Sequence, residues 1–372
     1  MQIELLVEAI APAIAVAETL TTGKDLRSPI FKCALIEAHE DRIVVRASSC
    51  TRSVEVTIPH KPVAVGKILV PAAQLDQIFR ANKKASVRIT STERGCRIAF
   101  GRAKGFNLTT EVVEDFPDMT FFDAKHASVK VPVTALIDMC KRAHSVIHKE
   151  NSKILLHGLC LHLVDGKLRV VGTNGLVLSY TTIPVEAAQE GVKYDQAVVF
   201  PDLIDLLPFV ASKGTEVELQ ITNRAVNLRG DLGQGSSIRL IGGYPPYESA
   251  LPRIAAKVIH LPRTNISSIL DQLDVLTYMG VPTVQLVLEN NLASWTAEGS
   301  DGRFHQEDDI VFEGDKIVMF YNPLTLAAAI KTRKAESMTF EVIGSLSPTV
   351  LRELGLPFES ICVFAPLRPG NA

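Results

Sequence analysis

The sequence predicts an α+β protein built from three tandem copies of one domain. Two observations carry that prediction. The first is a repeated text. Gly158–Pro184 reads GLCLHLVDGKLRVVGTNGLVLSYTTIP. Leu159, Leu161 and Leu163 alternate with Cys160 and His162, the period of two expected of a half-buried strand. Asp165-Gly166 is a hairpin turn signal, and Leu168 and Val170 open a second strand. Thr173–Gly175 breaks that strand, and Leu176, Leu178 and Tyr180 resume the alternation before Pro184. Cys33–Pro59, CALIEAHEDRIVVRASSCTRSVEVTIP, has the same length and order. Its Ile58-Pro59 aligns with Ile183-Pro184 without a gap, and Ser48 with Thr173. A looser third version runs from Val284 to Phe312. A text repeated three times at a spacing of about 125 residues is a tandem array. The second observation is that each meander lies between a helix pattern and a shorter, Pro-led helix. Each unit then reads helix, meander, helix, meander. That is a doubled β-α-β-β-β motif, about six copies in all, whose helices can each cover one sheet face.

Length and composition agree. At 372 residues, two or three domains are expected. Apolar content is 47% and charge 22%, the balance of an ordinary globular protein with material for real cores. The net charge of −2 gives no overall basic field, so any nucleic-acid role must rest on a local surface. Six cysteines (Cys33, Cys50, Cys96, Cys140, Cys160, Cys362) form no CxxC pair and read as buried thiols in a reducing cytoplasm. Glu4 and Glu8 near the start exclude a basic signal-peptide region, and no apolar run is long enough to span a membrane. The expectation is a cytoplasmic protein with no membrane association.

In chain order, Ile3–Leu20 carries a helical stripe of Leu5, Leu6, Ala9, Ile10, Ala13, Ile14 and Ala17, with Pro12 predicting a kink or break. After a loop and the first meander, Pro71 opens a helix to Phe79, where its missing N–H does no harm. Strands are expected at Val87–Thr90, Cys96–Phe100 and Gly105–Val113, and Phe116–Asp118 closes the unit. The second unit starts near Val129, with a helix led by Val131–Thr134 and running through Ile147. Phe200–Leu207 is its Pro-led helix. Strands follow at Val217–Ile221, Ala225–Arg229 and Ser237–Ile241, and Tyr244–Tyr247 closes it. The third unit starts near Val258, with Thr264 or Asn265 capping a helix through Leu276. Asn322–Ile330 is its Pro-led helix, and strands at Met338–Ile343 and Ser360–Ala365 finish the chain.

This ordered set resembles the bacterial β sliding clamp, the processivity subunit of DNA polymerase III. The resemblance rests on three α+β units, Phe116-Pro117-Asp118 ending the first and Tyr244–Pro252 ending the second. It also rests on the Thr173–Leu178 loop (Thr-x-Gly-x-x-Leu) and a terminal Pro366-Leu367-Arg368. It implies clamp domains at 1–122, 129–252 and 253–372. It further implies a ring of two chains joined head to tail, helices lining a channel for double-stranded DNA, no cofactor and no catalysis. The implied partners are a second copy of the chain, the polymerase III alpha subunit, a clamp-loader complex and other proteins bearing a clamp-binding motif.

The resemblance also assigns sites. DNA-facing cations are Lys24, Arg27, Arg80, Lys83, Lys84, Lys141, Arg142, Lys149, Lys153, Lys331, Arg333 and Lys334. Cations at helix C-termini equally offset the helix macrodipole on any solvated surface, and the first helices of units one and three carry almost none. The dimer interface is assigned to Phe106 and Leu108 on one side and Val275 and Leu276 on the other, where ordinary core packing is the competing reading. A partner-peptide groove is assigned to Leu156, Thr173, Gly175, Leu176, Val177, Leu178, Pro245, Ser249, Ala250, Asn322, Val363, Pro366, Leu367 and Arg368. Leu178 and Val363 also fit a plain core. The family often has His-Arg where Leu176-Val177 stand, an arginine near Glu248-Ser249 and a tyrosine at Thr325, so this groove is more apolar and less cationic.

An enzyme is the competing class. His157 and His162 lack the spacing of a metal motif, and Glu307–Asp309 reads as a solvated turn or strand start. Gly230–Gly235 lacks the strand-to-helix context of a phosphate loop and reads as a hairpin turn. No nucleophile elbow is present. A repeat-built scaffold or ligand-binding protein that never touches DNA is the alternative to the clamp reading.

Overall fold

The computed structural model describes residues 1–21, 28–93, 95–149, 153–186, 196–251, 257–278, 283–299 and 302–368. Within them the chain forms two compact units.

The first unit holds Met1–Thr134, Glu186–Lys193 and Asp202–Arg239. Its larger sheet combines β2 (Cys33–Ala38), β3 (Arg42–Ser48), β4 (Arg52–Pro59) and β5 (Gly66–Pro71) with β9 (Ser128–Pro132), β14 (Glu216–Ile221), β15 (Ala225–Arg229) and β16 (Gly233–Ile238). The order is β5-β2-β3-β4-β16-β15-β14-β9, so β4 and β16 form the seam between two four-strand halves. A separate four-stranded sheet has the order β1 (Gln2–Leu6), β6 (Ser86–Thr92), β7 (Gly95–Phe100), β8 (Lys104–Leu108). Helices α1 (Val7–Thr21) and α2 (Ala72–Arg80) pack together, and α1 covers β2, β3 and β4 with Ile10, Ile14 and Leu20 buried. The short α4 (Leu207–Val210) packs on β4 and β16.

The second unit holds Ala135–Val185, Tyr194–Pro201 and Leu240–Ala372. Its larger sheet has the order β13 (Gln196–Val199), β10 (Leu159–Val164), β11 (Lys167–Thr173), β12 (Val177–Pro184), β24 (Glu359–Phe364), β23 (Thr349–Glu353), β22 (Ser337–Val342), β17 (Lys257–Pro262). Here β12 and β24 form the seam. The smaller sheet runs β20 (Gly302–Asp309), β19 (Leu292–Gly299), β18 (Val284–Glu289), β21 (Ile317–Tyr321). The helices are α5 (Arg263–Tyr278), α6 (Pro323–Ile330) and all but the first two residues of α3 (Val133–His144). An aromatic chain fixes the core: Trp295 and Phe340 meet edge to face at 6.2 Å, as do Phe340 and Phe364, and Tyr321 lies 5.3 Å from Phe364.

The three meanders form where the repeat placed them. Pro59 pairs with Arg42 and Pro184 with Lys167, so the gap-free alignment is a structural equivalence. The turns are the left-handed type that suits strand twist: Asp165 and Gly166 have φ of 51° and 68°, Asn290 and Asn291 53° and 63°. At the first seam charged side chains run across the sheet. Arg46 bridges Glu37 and Glu55 at 2.7 Å each, Lys67 pairs with Glu37, and Gln234 donates to Glu55 at 3.2 Å across β4–β16.

Several local expectations change. The first helix does not begin at Ile3. Ile3 and Leu5 are buried while Gln2 and Glu4 point away, and the stretch pairs with β6 as a strand. Pro12 sits inside α1 without ending it. Gly230–Gly235 is only partly a turn, since Gly233 and Gly235 belong to β16. A Cβ on Gly233 would lie 2.0 Å from the Glu55 carbonyl oxygen, so the close approach of β4 requires glycine there. The Pro201 segment is mostly a 3-10 helix, the strand expected over Gly105–Val113 stops at Leu108, and β23 was not anticipated. Cys50 is exposed, on a left-handed turn with φ of 50°, whereas the other five cysteines are buried.

Candidate functional site

The face of the second unit's larger sheet that looks away from α6 carries an apolar cluster. Leu178 and Tyr180 of β12, Val171 of β11, Cys160 of β10, Val198 of β13, and Ile361 and Val363 of β24 line it. Leu240, Tyr244 and Tyr247 close over them, with Leu155, Phe200 and Leu251 packed at the margin. Tyr247 lies 6.0 Å from the Tyr180 ring and shares a 2.8 Å hydrogen bond with His162 Nδ1. Arg169 lies over the Tyr180 ring at 6.0 Å and pairs with Glu248 at 3.3 Å. Burial pushes the Tyr244 and Tyr247 phenols up, so both stay neutral and the cluster remains apolar at physiological pH.

The loop at one end of the cluster is rigid by its own hydrogen bonds. Thr173 Oγ1 donates to the Val177 carbonyl at 2.7 Å and accepts from the Gly175 N–H at 3.0 Å. Asn174 Oδ1 accepts from the N–H groups of Leu176 and Val177, both at 2.9 Å. Gly175 has φ of 93°, a conformation that favours glycine. The loop therefore holds Leu176 out in solvent, 62% exposed. The Ala365 N–H donates to the Leu176 carbonyl at 3.2 Å, placing Pro366, Leu367 and exposed Arg368 beside it. Asn322 caps α6, accepting from Leu324 N–H at 2.9 Å and Thr325 N–H at 3.3 Å. Pro245, Ser249 and Ala250 are exposed on the closing segment.

Two groove assignments change. Val177 points to the opposite face of β12, into the core with Val146 and Phe364, because strand neighbours alternate. Leu156 is half-buried and spends its backbone on His148 and Lys153, while Leu155 is the side chain that packs on the cluster. Leu155 fits there because Gly242 has no Cβ, which would lie 2.7 Å from Leu155 Cδ1. Sequence reasoning also missed Tyr180, Leu240, Tyr244 and Tyr247. The aromatic closing element Tyr244–Tyr247 was the available signal.

Two of the cations are corrected as well. Arg142 and Arg333 do not face solvent; they are 3% and 4% exposed. Both converge on buried Glu353. Arg142 forms a two-pronged contact, Nε to Oε2 at 2.7 Å and Nη2 to Oε1 at 3.0 Å. Arg333 lies 3.7 Å from the same carboxylate and donates to Ser179 Oγ at 2.9 Å. A buried carboxylate needs such partners, and it takes arginines from α3 and from the turn that follows α6. Arg80, Lys83, Lys84, Lys141, Lys149, Lys153, Lys331 and Lys334 are exposed, grouped at or just beyond the C-terminal ends of α2, α3 and α6. Arg80 pairs with Asp76 at 2.5 Å. Lys24 and Arg27 lie outside the described residues.

Of the residues the resemblance assigns to a dimer interface, two lie at a sheet edge and two on a helix. Phe106 and Leu108 are on β8, the last strand of its sheet; Phe106 is 37% exposed and meets Phe100 edge to face at 6.3 Å. Val275 is exposed on α5, and the side chain of Leu276 lies outside the described set. The two four-stranded sheets share a pattern among the described residues. Each has one edge engaged, β1 by Ala64 and β21 by the Leu367 N–H, and ends at the other in β8 or β20. No helix is long and apolar enough to cross a membrane, and no His/Cys/Asp/Glu group among the described residues could hold a metal.

Comparison with known proteins agrees with this geometry. Residues 1–120 match the family model of the DNA polymerase III beta subunit, N-terminal domain. The beta sliding clamp of Caulobacter vibrioides is 23% identical over 339 residues, covering 87% of this chain and 88% of that protein. The beta sliding clamp of Chlamydia muridarum is 20% identical over 349 residues, 91% and 92% of the two chains. The DNA polymerase III subunit beta of Pseudomonas aeruginosa superposes with a TM-score of 0.88 at 19% identity, over 99% of this chain and 100% of that one. The beta subunit of the Streptococcus pyogenes DNA polymerase gives 0.89 at 17% identity over the same shares. Residues 1–120 thus match the N-terminal domain of the DNA polymerase III beta subunit, relatives of 20–23% identity align along most of the chain, and the fold of solved beta subunits is shared over 99% of it: the chain is similar to the beta sliding clamps in sequence and shares their fold.

Proposed function

We propose that this protein is a DNA sliding clamp: two copies close head to tail into a ring around duplex DNA and tether a replicative polymerase. The observation that carries the reading is the pair of four-stranded sheets, each open at one edge. Every other four-strand half in the chain is joined to a second half, β4 to β16 and β12 to β24. Among the described residues the halves ending in β20 and β8 lack that completion, and a second copy supplies both. Two complementary ends close into a ring when the rotation fits. The domains are 1–122, 129–252 and 253–372, each a doubled half.

Such a ring holds DNA by enclosure and needs no base contacts. Exposed lysines and arginines at the ends of α2, α3 and α6 meet phosphates, which carry no sequence information and permit sliding. The chain performs no chemistry of its own and requires no cofactor. It works in the cytoplasm with the polymerase III alpha subunit, an ATP-driven clamp loader and other proteins carrying the clamp-binding motif. The test is retention on DNA. After loading, the protein is expected to stay on a closed circle and to run off the same DNA once linearised. Equal retention on both forms sinks the clamp reading and leaves the scaffold alternative.

The apolar cluster around Leu178, Tyr247 and Val363 receives the partner peptides, with Leu176 and Leu155 at its margins. Apolar anchors in a desolvated groove dominate such binding. Leu178→Ala is expected to weaken a fluorescent clamp-binding peptide by roughly tenfold or more in anisotropy titrations, since truncating a central anchor costs about 1–3 kcal/mol. Unchanged affinity moves the peptide elsewhere.

A further inference from the structure

Arg169 ties the segment that closes over the apolar cluster to the sheet beneath it. It stands on β11 opposite His162 of β10 and Thr182 of β12. Its side chain is only 18% exposed and reaches two consecutive residues of the closing segment. Nη1 donates to the Tyr247 hydroxyl oxygen at 3.4 Å and to Glu248 Oε1 at 3.3 Å. Nη2 lies 3.8 Å from Asp165 Oδ2, in the turn that leads into β11. His162 reaches the same two residues from the next strand: its Nδ1 is 2.8 Å from the Tyr247 hydroxyl and 3.9 Å from Glu248 Oε1. The Tyr247 ring stands edge-on to His162 and tilted on Tyr180, with centroids 6.1 and 6.0 Å away.

The closing segment's own hydrogen bonds shape it without attaching it to the sheet. The Ser249 N–H and hydroxyl both donate to the Pro246 carbonyl, and the Leu251 N–H donates to the Glu248 carbonyl, which makes a short 3-10 turn over Tyr247–Ala250. Tyr244, Tyr247 and Leu251 pack on the cluster, but apolar contact is non-directional and lets a ring slide or tilt. Charge-assisted hydrogen bonds from a rigid guanidinium fix a position as well as a distance. We infer that Arg169 is a positioning residue of the partner groove: by holding Tyr247 and Glu248 together it keeps this wall seated on Tyr180, so that the groove is formed before a peptide arrives. The inference rests on the groove reading above. A wall already in place adds no ordering cost to binding, whereas a loose one must be ordered by each partner.

The repeat shows what is particular to this seam. With Gly158–Pro184 laid on Cys33–Pro59, Val44 stands at the position of Arg169, Glu37 at that of His162 and Glu55 at that of Tyr180. In the first meander those two glutamates are bound within the sheet by Arg46, at 2.7 Å each. The seam that carries the apolar cluster has instead an arginine and a histidine directed at the closing segment. With its charge engaged by Glu248 and Asp165, Arg169 acts on a partner through Tyr247 rather than by meeting it.

The test is a double-mutant cycle in the full chain, read by anisotropy with a fluorescent clamp-binding peptide. Arg169→Ala is expected to weaken the peptide about fivefold, with an unchanged circular dichroism spectrum. Glu248→Ala is expected to act in the same direction. The two changes together are expected to cost no more than Arg169→Ala alone, because each acts through the other. A residue that merely supported the fold would lower the melting temperature without this coupling. Additive losses, or unchanged affinity in Arg169→Ala where Leu178→Ala weakens the peptide, overturn the role of Arg169 and leave the groove. Unchanged affinity in Leu178→Ala overturns the groove reading and the inference together. Should Arg169→Ala fail to fold, Glu248→Ala alone decides: it changes a half-exposed side chain, and an unchanged peptide affinity overturns the inference.

Discussion

Replacing Phe106 and Leu108 together with alanine is expected to leave the protein monomeric. Both lie on the open strand β8, and Phe106 exposes over a third of its surface in the single chain. A partner strand paired along that edge would bury it. Truncating two apolar anchors at an interface centre removes on the order of 4 kcal/mol, roughly a thousandfold in dissociation constant. Sedimentation velocity at micromolar concentration reads this directly. The folded chain itself should lose little, since neither side chain is fully buried. A dimer that survives dilution as well as the unsubstituted protein does would move the interface away from β8.

The second large effect concerns Glu353. Its carboxylate lies within hydrogen-bond distance of Arg142, Ser360 and the Lys334 N–H, and beside Arg333. Desolvation pushes its pKa up, but the hydrogen bonds and charges of Arg142 and Arg333, with Ser360, outweigh burial and hold it below the usual carboxylate range. Glu353→Gln leaves two buried guanidinium groups without their anion, a loss of about 3–5 kcal/mol. Thermal melting should fall by several degrees, with unfolding of the second unit leading. The pH dependence has a definite sign. The folded pKa is depressed, so the stabilisation is complete above the unfolded-state value of about 4.3 and is lost as pH falls through the folded value. The glutamine variant should therefore show a shallower loss of stability on acidification. If both proteins melt alike at neutral pH, the arginines are satisfied without Glu353.

The comparison of sequence with fold turns on what kind of information each residue carries. The meanders were legible because their signals are local: period-two alternation, Asp165-Gly166, and the Ile-Pro endings. The cap of α6 was legible for the same reason, since Asn322 acts on residues two and three positions ahead. The β1 strand was missed because Leu5, Leu6, Ala9 and Ile10 also fit a helical stripe, and only pairing with β6, some eighty residues away, decides the matter. Val177 and Leu156 were assigned to the groove, but Val177 faces the opposite core and Leu155, one position from Leu156, is the side chain that packs on the cluster, because in a strand or a tight turn one position reverses the face.

By itself the sequence determined the threefold repeat, the α+β class, the two halves of each repeat and the cap that starts α6, because each follows from neighbours along the chain. Only the tertiary structure decided which cations meet solvent and which meet Glu353, and which strands complete a sheet. Arg142 and Glu353 are 211 positions apart, and their pairing depends on which strands stand side by side at the β12–β24 seam. Charge, burial and edge status are properties of what lies across the strand, and no local pattern encodes them.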